Sequence, residues 1–222
     1  MATIADNLQA IRTRLGAVTL LAVSKGQEIG KIREAAAAGQ RAFGENYVQE
    51  AVEKMDRMEP REQGVEGLEW HLIGPLQSNK TRLVAERFDW VQTVASEKIA
   101  RRLSEQRPAG KAPLNVLVQV NVSGESSKSG VFARDAPGLC RQIGSLKSLN
   151  LRGLMAIPEP GAPRARFHEV KVLFDSLKGE FGFDTLSMGM SDDLELAIAE
   201  GSTMVRVGTA IFGSRDKVKS AA

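Results

Sequence analysis

The sequence predicts an α/β protein folded as a single (β/α)8 TIM barrel with an extra N-terminal helix, residues 1–222 forming one domain. Three observations predict it. Short β-branched apolar runs recur along the chain, each followed by a loop and a segment of helical period, the pattern of right-handed βαβ crossovers on a parallel sheet. Eight such runs are present, and a chain of 222 residues is near the compact limit for a barrel of eight strands. In Leu114–Asn121 the valines at even positions alternate with Asn115, Gln119 and Asn121. That parity turns the valines toward surrounding helices and the polar residues toward a lumen or its mouth. An open doubly wound sheet is the competing architecture.

In chain order, an opening helix at Ile4–Leu15 precedes a strand at Val18–Ser24 and a helix at Ile29–Ala38. Strand Arg41–Gly44 leads to helix Asn46–Met58, Glu69–Ile73 to Asn79–Glu86, and Trp90–Val94 to Glu97–Gln106. The long strand Leu114–Val122 is followed by a helix at Pro137–Ser145, and Leu151–Ala156 by one at Pro163–Leu177. Thr185–Met188 leads to Asp192–Glu200, and Met204–Gly208 closes the series before a terminal helix. Pro158-Glu159-Pro160-Gly161-Ala162-Pro163 has turn chemistry and reads as a loop. The polar tail Ser214–Ala222 is expected to fray.

Composition narrows the function classes. Apolar residues make up 42% and charged residues 26% of the chain, ordinary for a globular, enzyme-like protein. The net charge of +3 comes without any block of like charges, which argues against a nucleic-acid surface. A lone cysteine, Cys140, excludes an internal disulfide and fits a reducing compartment. The N-terminus lacks a basic segment followed by an apolar core, and no run approaches eighteen apolar residues. A cytoplasmic protein without export signal or membrane span is expected. No His, Cys or carboxylate spacing suits a metal, and no nucleophile elbow, P-loop or dinucleotide fingerprint occurs.

Barrels of this class carry functional groups at the carboxyl ends of their strands. Leu20-Leu21-Ala22-Val23-Ser24-Lys25-Gly26-Gln27 ends one such strand on an amine, and period-two parity puts Lys25 on the inward face with Leu21 and Val23. Lys25 reads either as a solvated strand-end lysine or as a desolvated amine of lowered pKa, competent to form a Schiff base. The last strand sharpens the choice. Arg206 lies late in it, and Gly208-Thr209 turn into a helix whose first amides favour an anion, though Gly208 alone reads equally as a turn glycine. Ser187, ending the seventh strand, can offer a hydroxyl to the same anion; Ser191 reads as an N-cap with Asp192 and Asp193 in the first turn. First and last strands are neighbours in a closed barrel, so amine and phosphate cradle face one ligand, and a phosphorylated aldehyde fits them. Arg206 would donate to a pyridine nitrogen and leave it unprotonated, a weaker electron sink, or else pair with a barrel carboxylate. Asn46 is a ring contact or a helix N-cap, His71 a core histidine, Lys128 a loop lysine within reach of the site or solvated, and His168 an exposed helix residue.

The motifs Ala22-Val23-Ser24-Lys25, Phe43-Gly44-Glu45-Asn46-Tyr47-Val48-Gln49-Glu50, His71-Leu72-Ile73-Gly74-Pro75-Leu76-Gln77-Ser78-Asn79-Lys80, Gly153-Leu154-Met155-Ala156-Ile157-Pro158, Ser187-Met188-Gly189-Met190-Ser191-Asp192-Asp193 and Gly201–Gly213 resemble the pyridoxal phosphate homeostasis proteins, the YggS/PROSC family. The resemblance runs from about Leu20 to Gly213, with a departure at Gly26-Gln27. It implies a barrel like the N-terminal domain of bacterial alanine racemases. It further implies pyridoxal 5'-phosphate held as an internal aldimine on Lys25, with Arg206 facing the pyridine nitrogen. Ser187, Gly208 and Thr209 fall on the family's phosphate positions, and Asn46 on a ring-side position. An alanine racemase also needs a tyrosine from a C-terminal β-domain across a dimer. This chain ends with the barrel, and its one tyrosine, Tyr47, is placed on a helix beside the second strand. The leading expectation is therefore a monomeric cytoplasmic protein that buffers pyridoxal 5'-phosphate and delivers it to apoenzymes without robust catalysis. The alternatives are an amino-acid racemase or lyase using Lys25 and Lys128, and an aldolase-like barrel using Lys25 on a sugar phosphate.

Overall fold

The computed structural model of the protein describes residues 2–58, 67–124 and 129–213. Helix α1 (Ile4–Leu15) begins at Thr3, whose hydroxyl accepts the Asp6 N–H (3.1 Å) while the Asp6 carboxylate accepts the Thr3 N–H (2.9 Å). This reciprocal cap satisfies two end donors at once. Ile4, Leu8, Ile11 and Leu15 fall on one helical stripe, and all four are buried against the barrel wall.

Nine strands follow: β1 (Thr19–Val23), β2 (Ala42–Glu45), β3 (Glu69–Leu72), β4 (Trp90–Val94), β5 (Leu114–Asn121), β6 (Val131–Phe132), β7 (Leu149–Ala156), β8 (Thr185–Ser187) and β9 (Met204–Val207). All except β6 pair in parallel in the order β1-β2-β3-β4-β5-β7-β8-β9, and β9 pairs back to β1. The sheet is a closed barrel of eight strands, so the doubly wound alternative is excluded. Between the strands stand α2 (Ile29–Ala37), α3 (Val48–Arg57), α4 (Thr81–Arg87) after a 3-10 turn at Ser78–Lys80, α5 (Glu97–Gln106), α6 (Ala136–Gly144), α7 (Arg164–Phe181), α8 (Leu194–Ala199) and α9 (Thr209–Phe212).

Strand parity splits the core in two. Outward residues such as Phe43, Leu72, Val116, Val118 and Val120 meet the helices in one large annulus. Inward residues form smaller plugs, Leu21, Ala42, Ile73 and Met204 on one side and Trp90, Leu117 and Met155 on the other. Arg152 and Asp184, joined by a guanidinium–carboxylate fork (2.6–2.9 Å), lie below, with Arg152 over the Trp90 ring and Trp90 stacked on His71.

Several boundaries differ from the sequence expectation for local reasons. β7 starts at Leu149, earlier than Leu151, because Leu149 and Asn150 already pair with Leu114 and Asn115; the register then shifts between Leu151 and Gly153. Gly153 has φ +152°, and a Cβ there would lie 1.9 Å from the Thr185 carbonyl oxygen. The bulge therefore requires glycine. The two-residue β6, which pairs in parallel beside the end of β5, was not expected, being too short to show alternation. Helix α3 begins at Val48, so Asn46 stands before it and Tyr47 takes the N-cap position. Helix α8 begins only at Leu194 with Asp193 at its N-cap position, so Ser191 is not the cap expected of it. Lys128 and the tail 214–222 lie outside the described residues. Among the described residues no helix is long and apolar enough to cross a membrane. Cys140 is buried, and burial pushes its thiol up to about 12, which keeps it protonated.

Candidate functional site

The register of β1 on β9 sets Leu21 beside Arg206 and Ala22 beside Val207. Continuing both strands brings Lys25 and Gly208 to the same edge of the barrel mouth. There a cavity of about 420 Å³ opens, with Val23, Lys25 and Gln27 from the β1 end on its wall. Gly208 and Thr209 come from the β9 end, and Met190, Ser191 and Asp192 from the loop before α8. Asn46, Ile73, Ile157 and Arg206 complete it. Lys25 is half-buried, and Thr209 opens α9, whose first amides have no acceptor within the helix. A side chain at Gly208 would bring its Cβ to 3.2 Å from the Val23 carbonyl oxygen, so glycine there also serves the close approach of β9 to β1.

Arg206 forms part of the floor and is 4% exposed. Its guanidinium donates to Ser187 Oγ (2.8 Å) and to the Ala156 carbonyl (2.9 Å). Among the described residues no carboxylate forms an ion pair with it, so the expected alternative of a paired barrel arginine does not hold. Burial lowers its pKa to about 10, with Asp193 opposing from a distance, and it remains a cation at neutral pH.

Ser187 is fully buried, accepts from Arg206 and is not among the residues lining the cavity. A guanidinium only donates, so Ser187 Oγ accepts from Arg206 and gives its own proton to Gln92 Oε1 (2.7 Å). That fixes the Gln92 amide, whose Nε2 faces His71 Nδ1 at 3.0 Å, and leaves the histidine proton on Nε2. Burial holds the His71 pKa below its usual value. His71 is a core residue of this lumen chain, which ends on Arg206. Ser191, which the sequence placed at a helix cap, lines the cavity; the signal for it was its place in a loop just past a strand end.

Asn46 is carried by the turn after β2 and faces the cavity. Its position depends on a neighbour the sequence did not single out for this. A Cβ on Gly74 would lie 2.1 Å from the Asn46 carbonyl oxygen and 2.6 Å from its Cα. Gly74→Ala is expected to lower the unfolding free energy by about 3 kcal/mol, since backbone cannot yield as a side-chain end does. A urea titration beside Gly30→Ala checks it. Gly30 has open space around it, and alanine there should be neutral or stabilising by up to about 1 kcal/mol. Equal midpoints for the two variants would contradict the close approach.

A second cavity of about 400 Å³ adjoins the first, sharing Asn46, Ile73 and Ile157, with Thr93, Gln119 and Asn121 among its own lining. Tyr47 is 66% exposed and lines neither.

The family model described as alanine racemase, N-terminal domain, matches residues 1–216. A relative from Escherichia coli strain K12, named pyridoxal phosphate homeostasis protein, is 54% identical over 228 residues, which cover 99% of this chain and 97% of the relative. The solved structure of PipY from Synechococcus elongatus PCC7942 with PLP bound superposes with a TM-score of 0.86 at 38% identity, covering 95% of this chain and 100% of that one. Alanine racemase from Corynebacterium glutamicum shares the fold, with a TM-score of 0.70 at 18% identity over 99% of this chain and 62% of its own.

Proposed function

The chain belongs to the pyridoxal phosphate homeostasis protein family, and on that premise we propose that it holds pyridoxal 5'-phosphate at the barrel mouth as a covalent adduct of Lys25. It keeps the cofactor in reserve in the cytoplasm and passes it to apoenzymes, without running a robust reaction on it. The observation that carries this reading is the meeting of Lys25 and Arg206, from adjacent strands, in one cavity with Gly208 and Thr209.

The residues present fit the group. Arg206 is a buried cation whose bonds go to neutral oxygens, so an acceptor placed above it gains an uncompensated donor. Ser191, Gly208 and Thr209 supply a hydroxyl edge and helix-start amides for a phosphate. Asn46 can bond a polar ring substituent. When bound, pyridoxal phosphate supplies a reactive aldehyde and a ring able to take up electron density. Lys25 supplies the nitrogen for capture. Arg206 holds any ring nitrogen it contacts in the unprotonated state, because its own proton is retained at neutral pH, and that weakens the ring as an electron sink.

The non-catalytic half of the reading rests on what faces the cavity. The chain has one tyrosine, and it points away from the mouth. No second acid of that kind can pass a proton to the face opposite Lys25. Among the described residues the exposed large apolar side chains are Tyr47, Ile157, Val172 and Met190, of which Ile157 and Met190 rim the cavity. Such scattered exposure supports a monomer, and the apolar rim a transient dock for a receiving apoenzyme.

The test is the absorbance of purified protein before and after added pyridoxal phosphate, with borohydride reduction and peptide mapping. A visible band, and a reduced adduct on Lys25, are expected without any further substrate. A Lys25 trapped by borohydride only in the presence of a sugar phosphate would overturn the reading in favour of an aldolase-like enzyme. Steady turnover of an amino acid would overturn its non-catalytic half.

A further inference from the structure

Ser24 and Glu45 are one step out of phase with Lys25 and Asn46, so they point away from the lumen, into the space between the barrel wall and α3. There they meet Lys54, whose side chain is 8% exposed while that of Glu45 is fully buried. Lys54 Nζ donates to the Ser24 carbonyl (2.7 Å), Glu45 Oε1 (2.8 Å) and Glu50 Oε1 (2.6 Å). These three bonds use every proton of the ammonium. Glu45 Oε1 also accepts the Ser24 hydroxyl (2.6 Å), and Glu50 Oε1 accepts the Gly26 N–H (2.5 Å).

The consequence concerns Lys25. The residue before it is held by hydroxyl and carbonyl, and the residue after it by its amide, all on one charged cluster. Gly26 sits at φ +67°, a left-handed turn that the Glu50 bond pins in place. Stability alone is a poor account of this cluster. Buried charges lose hydration that their pairing only partly returns, and apolar residues of similar size commonly serve stability as well. Glu45 Oε2 is buried with no hydrogen-bond partner, an imperfection a purely structural staple would not need.

We propose that Glu45, Glu50 and Lys54 are positioning residues that clamp the backbone on both sides of Lys25 and thereby set how tightly the amine captures an aldehyde. The proposal rests on the cofactor reading above and deepens it. Capture joins the Lys25 nitrogen to the aldehyde carbon as a C=N bond. The aldehyde oxygen leaves as water, taking both protons of the neutral amine. Lys54, bonded to three acceptors on the other side of the barrel wall, does not compete for the aldehyde.

The test uses the full chain as Glu50→Ala, Lys54→Met and the double variant Glu45→Gln/Lys54→Met, the last leaving no unpaired buried charge if the single lysine variant fails to fold. Hydrogen exchange at the Gly26 amide is read in cofactor-free protein, and pyridoxal phosphate is titrated against the visible band. In folded Glu50→Ala the Gly26 amide is expected to exchange about tenfold faster or more. The affinity of the folded variants is expected to fall about tenfold or more, with a weakened visible band, because a displaced nucleophile loses its alignment. Folded variants with the parent's affinity and band would overturn the proposal. Unchanged Gly26 exchange in Glu50→Ala would overturn it as well, whatever the ligand. A parent protein that takes up no pyridoxal phosphate while the Gly26 amide does respond would fail the cofactor reading and leave the clamp standing.

Discussion

Lys25→Ala is expected to abolish the visible band and the borohydride-fixed adduct while leaving the folded protein intact. The side chain is half-buried at a strand end, where truncation removes little packing, so the unfolding free energy should stay within about 0.5 kcal/mol of the parent. Among the described residues covalent capture has no substitute in the cavity: Lys25 is the only lysine of these on its wall, and Lys54 is turned to the other side of the barrel wall with three acceptors of its own. Weak, reversible binding is expected to remain, because Arg206, Ser191 and Thr209 are untouched. Equilibrium dialysis with pyridoxal phosphate would detect it, and inorganic phosphate should compete. An undiminished adduct in Lys25→Ala, mapped to another lysine, would count against the site as a whole.

The second large effect is expected at Arg206, with opposite signs on stability and binding. Burial has brought its pKa down from the usual guanidinium range to about 10. The folded state thus holds this proton less tightly than the unfolded chain does. Below pH 10 the charge costs the fold about 3 kcal/mol, a cost that fades only as pH climbs through 10 toward 12. Two hydrogen bonds, to Ser187 Oγ and the Ala156 carbonyl, return a similar amount. Arg206→Met removes both sides of this balance, keeps most of the volume, and leaves Ser187 bonded to Gln92. The cofactor-free variant is expected to unfold within about 1 kcal/mol of the parent, while its affinity for pyridoxal phosphate falls at least about tenfold. Thermal melts and titration of the same preparations separate the two. A large loss of stability with full affinity would mean that Arg206 is a structural residue and not part of the ligand floor.

Much of this architecture is legible from local pattern. Alternation in Leu114–Asn121 told which face of β5 meets the helices, and the same period of two turned Lys25 inward with Leu21 and Val23. The closeness of Lys25 to Arg206, though nearly the whole chain separates them, followed from closure alone, since a barrel must pair its first strand with its last. Ser187 and Ser191 both stand near the end of β8, and the sequence does not say which of them lines the cavity. That choice depends on Gln92, nearly a hundred residues away, which accepts the Ser187 proton and draws that side chain below the cavity floor. Asn46 was open between cap and ligand contact until the start of α3 left it outside the helix and Gly74 came up against its backbone.

The Glu45–Lys54–Glu50 cluster was the least legible feature. Its members sit on the end of a strand and the outer turns of a helix, where charged residues ordinarily face water. Only the packing of α3 on β1 and β2 turns them inward and closes them around Ser24 and Gly26.

By itself, then, the sequence determined the order of the elements, the faces of the strands and the amine at the end of β1, because these follow from periodicities a few residues long. The tertiary structure decided which polar groups share the cavity, which hold Arg206 from below and which grip the backbone beside Lys25. Hydrogen-bond partners and burial are properties of space between elements, and no local spacing encodes them.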